Sequence, residues 1–183
     1  MDESFWNFSL RAFGSPGVAP ALLGLQAKHG VDLNLLIYAC WLGASGRGEP
    51  GRAHFAARAR ASERWQNDAA RPLRKVKQAL KTSDADNADG ISAAARESFR
   101  KRVAALEVEA ERVELEWLES AAPAAAPPAP TAERVRAAGR NLVAVSASLG
   151  LAPGAEERGG ALALLGAAFP GLLQPEFEAA LAE

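Results

Sequence analysis

Apolar positions in the first third of the chain recur at three- and four-residue spacing, and Gly or Pro interrupts each run. That period predicts helices rather than strands. Phe5, Trp6, Phe8, Leu10 and Phe13 mark a helix over 4–13, with Ser4 or Asp2 as its N-cap and Gly14 as its stop. Ser15-Pro16-Gly17 breaks the chain, and Val18, Leu22 and Leu25 then define a second helix that reaches His29, with Gly30 as C-cap. Asp32 is placed to cap a third helix. Leu33, Leu35, Leu36, Ile37, Ala39, Cys40, Trp41 and Leu42 leave that helix almost no polar face, so it is predicted to be central and enclosed.

Polar periodicity takes over afterwards. The Gly-rich run 43–52 lacks the order of a phosphate-binding P-loop and reads as a flexible connector. Residues 53–81 read as a basic helix, and Pro72 predicts a kink or restart near 67–71. The polar run 82–90 reads as a turn. Over 92–120, Phe99, Val103, Leu106, Ala110, Val113 and Trp117 alternate in steps of four and three, which predicts one coiled-coil-like seam. Charge along this helix is polarised, with Arg96, Arg100, Lys101 and Arg102 early and six glutamates between Glu107 and Glu119 late. Antiparallel packing of the two charged helices would set the acidic end nearest Arg58–Arg64. Residues 121–131 form an Ala/Pro linker, and Val135, Leu142, Val145 and Leu149 mark a further helix, followed by two short ones.

The fold class predicted is all-α: a compact helical bundle over 1–120, an Ala/Pro-rich linker over 121–131, and a small helical C-terminal appendage over 132–183. Composition narrows the chemistry. The formal net charge of −1 exerts no global pull on nucleic acid or membrane, and one Cys with two His can build neither a disulfide framework nor a zinc site. The acidic start lacks the basic region of a secretory signal, and no apolar run is long enough for a bilayer. A cytoplasmic location is expected, with no metal and no cofactor.

Few residues invite a chemical role. Asp32, Asn34 and Trp41 lie on the central helix, where Asp-x-Asn could meet a polar ligand, but capping by Asp32 explains most of the pattern. Cys40 and His29 resemble a nucleophile pair only in composition, since a thiol in an apolar helix is held protonated. No catalytic residue is assigned. Arg71, Arg74, Lys75 and Lys77 are the candidate contacts to nucleic acid or another anion, against a solvated face balanced by the Glu-rich helix. The seam from Phe99 to Trp117 offers a face for a partner helix or a second copy.

The quoted pattern also carries a resemblance. Trp6–Leu10, the Pro16-Gly17-Val18 step, Leu25-Gln26, the Gly-x-Asp-x-Asn-Leu-Leu core over 30–36, Trp41, and the later block of Trp65, Arg71 to Arg74, Leu80 and Lys81 are similar to the signature of a proteobacterial family of conserved hypothetical proteins, a domain of unknown function. The likeness spans roughly the first 120 residues and implies no activity. The expected role is a non-enzymatic protein-interaction or regulatory module. Binding of nucleic acid or ribosomal RNA through 52–81 is the alternative, and a small-molecule pocket within the bundle is the third.

Overall fold

A computed structural model describes residues 3–82, 91–127 and 129–182, and every regular element among them is helical. The helices are α1 (Phe5–Phe13), α2 (Val18–His29), α3 (Leu33–Ala44), α4 (Arg52–Trp65), α5 (Arg71–Thr82), α6 (Ala93–Ser120), α7 (Thr131–Ser148), α8 (Ala155–Ala168) and α9 (Gln174–Ala182). A π turn, Gln66–Ala70, joins α4 to α5. The expected turn over 82–90 lies outside the described residues apart from its first position. Two compact units form, one from Met1–Arg60 with Leu115–Glu183 and one from Ala61–Glu114.

In the first unit the predicted caps are in place. Ser4 accepts from the Asn7 amide, Gly30 adopts the left-handed conformation at the end of α2 (φ 67°), and the Asp32 carboxylate accepts from the Asn34 amide at 3.0 Å. Helix α3 is buried from Leu33 to Gly43 and occupies the centre of the core. Phe5, Tyr38 and Trp41 pack ring against ring, with centroids 5.1 Å apart for Phe5–Trp41 and 5.5 Å for Phe5–Tyr38.

In this unit the helices on either side of the Ala/Pro segment share one core. Val135, Ala138, Leu142, Val145, Leu164 and Phe177 belong to the same core as Phe5, Leu22 and Trp41. Helix α7 lies against α3, and α9 lies against α7. Small residues are the physical reason. A Cβ on Gly43 would stand 2.2 Å from the Ala138 amide nitrogen, and one on Gly139 would stand 2.2 Å from the Ala180 carbonyl oxygen. The backbones therefore touch, and the Ala and Gly that bury little area apiece permit approach that larger side chains would forbid.

Nor are the two loops free. The Ala126 amide donates to the Gly46 carbonyl at 3.0 Å, and Arg47 Nη1 donates to the Pro123 carbonyl at 2.8 Å. Asn141 Nδ2 donates to the Gly48 carbonyl at 2.9 Å. The Gly-rich connector and the Ala/Pro segment thus hold each other in place, and both are held to the core.

Candidate interaction surface

The second unit pairs the end of α4, the π turn and α5 with α6 as an antiparallel hairpin. Trp65 Nε1 donates to the Ala110 carbonyl at 2.9 Å, and Arg74 reaches Glu107 and Glu111 further along. The predicted break occurs as the π turn, in which the Arg71 amide bonds to the Gln66 carbonyl five residues back. Pro72 has no amide hydrogen, and its ring would clash with the carbonyl four residues earlier in a regular helix. A wider turn relieves that clash, and it also inserts one extra residue into the helical phase.

That phase change decides which side chains face α6. Ser62, Gln66 and Ala70 are buried, and the next inward positions are Arg74 and Lys77. Val76, which an unbroken helix would carry inward, is 43% exposed, and Leu73 and Leu80 are half-buried. On the part of α6 that belongs to this unit the buried positions are Val103, Glu107, Ala110 and Glu114. The predicted seam is therefore split. Val103 and Ala110 face inward, whereas Phe99, Leu106 and Val113 stand 46%, 52% and 45% exposed.

The hairpin interior is consequently polar. Glu114 is only 2% exposed and accepts from Ser62 Oγ and from Gln66 Nε2, the latter at 2.6 Å. Glu107 takes Arg74 Nε at 3.1 Å and the Lys77 ammonium, while Glu111 takes Arg74 Nη2 at 2.7 Å. Enclosed carboxylates need such partners, since an uncompensated charge out of water costs several kcal/mol. The antiparallel order sets the acidic end of α6 beside the 58–66 stretch, as expected: Ser62 and Gln66 meet Glu114, and Arg58 lies 5.4 Å from the Trp117 ring centre. Arg74 and Lys77 pair with the earlier Glu107 and Glu111, and Arg64 pairs with Asp68 at 3.5 Å.

The candidate anion contacts therefore part company. Arg74 and Lys77 are engaged inside the hairpin, Arg71 donates to Asn67 Oδ1 at 2.5 Å, and Lys75 faces solvent. The residues on the central helix are separated from these. Asp32 caps α3, Asn34 is buried beside it, and Trp41 Nε1 donates to the Glu3 carbonyl at 3.1 Å. His29 and Cys40 do not meet: His29 sits 3.0 Å from a Glu157 oxygen, and Cys40 donates to the Leu164 carbonyl at 3.7 Å. Burial pushes the Cys40 thiol up to about 12, which removes it as a nucleophile near neutral pH.

Sequence reasoning missed the inward row of Ser62, Gln66, Glu107 and Glu114. A signal was available in the four-residue spacing of Ser62, Gln66, Ala70 and Arg74, which persists only if the break near Pro72 adds a residue.

On the outer side, Val76 of α5 and Phe99, Leu106 and Val113 of α6 are exposed, with Leu73 and Leu80 half-buried. An ordinary hairpin buries its apolar residues and exposes its charges. This one encloses charge and presents an apolar face, a pattern that marks interaction sites.

No described helix is long and apolar enough to cross a membrane. Neither curated proteins nor solved structures provide a match. One family model matches residues 4–118, its description being Protein of unknown function (DUF2390), and it covers α1 to the last turns of α6. With more than half of its length matched, the chain belongs to that family.

Proposed function

We propose that the chain is a non-enzymatic protein-interaction module whose docking surface is the outer face of the 61–114 hairpin, and that the partner seated there is a second copy. The observation that carries this reading is the row of Phe99, Leu106 and Val113, spaced seven apart on α6 and bordered by charges of opposite sign. Arg102 lies four residues before Leu106, and Glu109 lies three after it, on the same side of the row. A twofold axis through Leu106 aligns Phe99 of one copy with Val113 of the other and sets Arg102 of each beside Glu109 of its mate. The basic-to-acidic gradient of α6 is thus complementary to itself when antiparallel. A parallel pair would set like charges together.

Reading 71–77 as a nucleic-acid contact has less support, because Arg74 and Lys77 already neutralise Glu107 and Glu111. Cys40 is the chain's single cysteine and is buried, so the fold relies on no internal disulfide, which suits a reducing compartment such as the cytoplasm.

Light scattering of the full chain over a concentration series tests the proposal. Dimer is expected, with Leu106→Glu monomeric and Arg102→Glu weakened. The double exchange Arg102→Glu, Glu109→Arg restores association, which general destabilisation would not do. A monomer at every concentration, or a double exchange no better than the single one, overturns it.

A further inference from the structure

A cavity of about 460 Å³ lies within the first unit, among α1, the end of α3, the Ala/Pro segment and the start of α7. Arg11, Arg134 and Glu3 bring charge to it, and Phe8 and Trp41 bring aromatic surface. Glu3 is already engaged, because its two oxygens accept from Arg11 Nε at 3.0 Å and Nη2 at 2.7 Å. Arg11 is completed by its Nη1, which donates to the Ala167 carbonyl at 2.7 Å.

Arg134 is differently placed. Its guanidinium lies over the Phe169 ring, 5.8 Å from the centre, and its Nε is enclosed without an acceptor. Among the described residues no carboxylate pairs with it. Arg134 is otherwise half-buried and lines the cavity, and the planar fork of a guanidinium without a carboxylate partner is matched by an oxoanion with two oxygens in one plane. The cavity volume also falls in the range of small-molecule sites, which combine apolar walls with a few placed polar groups.

We propose that this cavity binds a small monocarboxylate with an apolar body. The carboxylate meets Arg134, and the body lies against Phe8, Trp41 and Ala168. The charge balance selects a monoanion. Arg11 and Glu3 cancel, Arg134 contributes one uncompensated positive charge, and the Glu3 carboxylate in the same cavity opposes a second negative charge on the ligand. This site does not depend on the hairpin or on its proposed partner.

Calorimetric titration of the full chain at neutral pH, with benzoate and hexanoate as probes, tests the assignment. Benzyl alcohol and inorganic phosphate serve as the neutral and the multiply charged comparisons. Saturable binding of at least one carboxylate is expected, with affinity falling about tenfold or more in Arg134→Gln and less in Arg134→Lys. Ala168→Leu, which keeps the charge and fills the cavity, is expected to reduce binding comparably. Melting curves on each variant establish that it is folded, and if Arg134→Gln is not, Arg134→Lys and Ala168→Leu decide the matter. The proposal is overturned by no saturable heat with either carboxylate up to about 10 mM. Benzyl alcohol binding as tightly as benzoate, phosphate binding more tightly, or affinity indifferent to the substitutions at Arg134 and Ala168 would each overturn it too.

Discussion

Gly43 of α3 and Ala138 of α7 meet backbone to backbone, and a Cβ on Gly43 would fall 2.2 Å from the Ala138 nitrogen. Because the obstructing atoms are backbone, no rotamer change relieves the clash. Gly43→Ala is expected to destabilise the chain by about 3 kcal/mol or more, seen in thermal unfolding as a loss on the order of 10 °C. Gly24 in α2 has nothing within 4 Å of the same construction. Gly24→Ala should therefore stabilise by roughly 0.4–1 kcal/mol through the unfolded chain. A neutral Gly43→Ala would contradict the packing described.

Tyr38 is the chain's sole tyrosine, so ultraviolet titration of tyrosinate reports on it alone. Burial pushes its hydroxyl up to about 12, with Arg58 and then Arg47 opposing the shift. The folded pKa exceeds the unfolded value of about 10, so the stability contribution is intact below pH 10 and is lost as pH rises toward 12. The loss should be on the order of 2 kcal/mol, and Tyr38→Phe should abolish it.

His54 Nε2 lies 3.2 Å from the Tyr38 hydroxyl, and burial, followed by the charge of Arg58, lowers the imidazole pKa. Here the sign reverses. The unfolded chain takes up the proton first, so stability falls as pH drops below about 6.5. Denaturant unfolding between neutral pH and about pH 5 should show a shallower decline for His54→Gln than for the parent.

Arg74 and Lys75 are adjacent in sequence but opposite in consequence. Removing the Arg74 guanidinium leaves Glu111 without that partner and Glu107 with Lys77 in its place. Arg74→Met should cost about 1–3 kcal/mol, less than a fully enclosed pair because the site is partly solvated. Lys75→Met should fall within about 0.5 kcal/mol of the parent. Equal effects in chemical denaturation would contradict the inward placement of Arg74.

The Ala126 amide is bonded to the Gly46 carbonyl. Hydrogen exchange at Ala126 should accordingly be slower than at the exposed Ala124 in the same Ala/Pro segment. Equal exchange at the two would contradict the bond between Ala126 and Gly46.

Helix ends and the central helix were legible because their causes are local. Ser4, Gly14, Gly30 and Asp32 act on neighbours within a few residues, and an apolar run without a polar face has few places to go. The seam on α6 was misassigned because periodicity identifies a stripe and not its partner. The phase that turned Glu107 and Glu114 inward was set by the wide turn before Pro72 on another helix. The docking of α7 to α9 was hidden for a different reason. Ala and Gly read as weak core formers, whereas Gly43 and Gly139 act through absence of bulk, which appears only when two distant segments are brought together. The cavity at Arg134 likewise depends on residues from both ends of the chain.

Contact between Gly43 and Ala138, and between Gly139 and Ala180, has a consequence for synthesis. The segment matched by the family model leaves the ribosome well before α7 and α9, and α3 has no neighbour for its notch until they follow. At about 5–20 residues per second, that interval is on the order of ten seconds. During it the most apolar helix of the chain is uncovered on one side. Helices made after the matched segment close the core, so a nascent chain halted before α7 is a species for chaperones to hold.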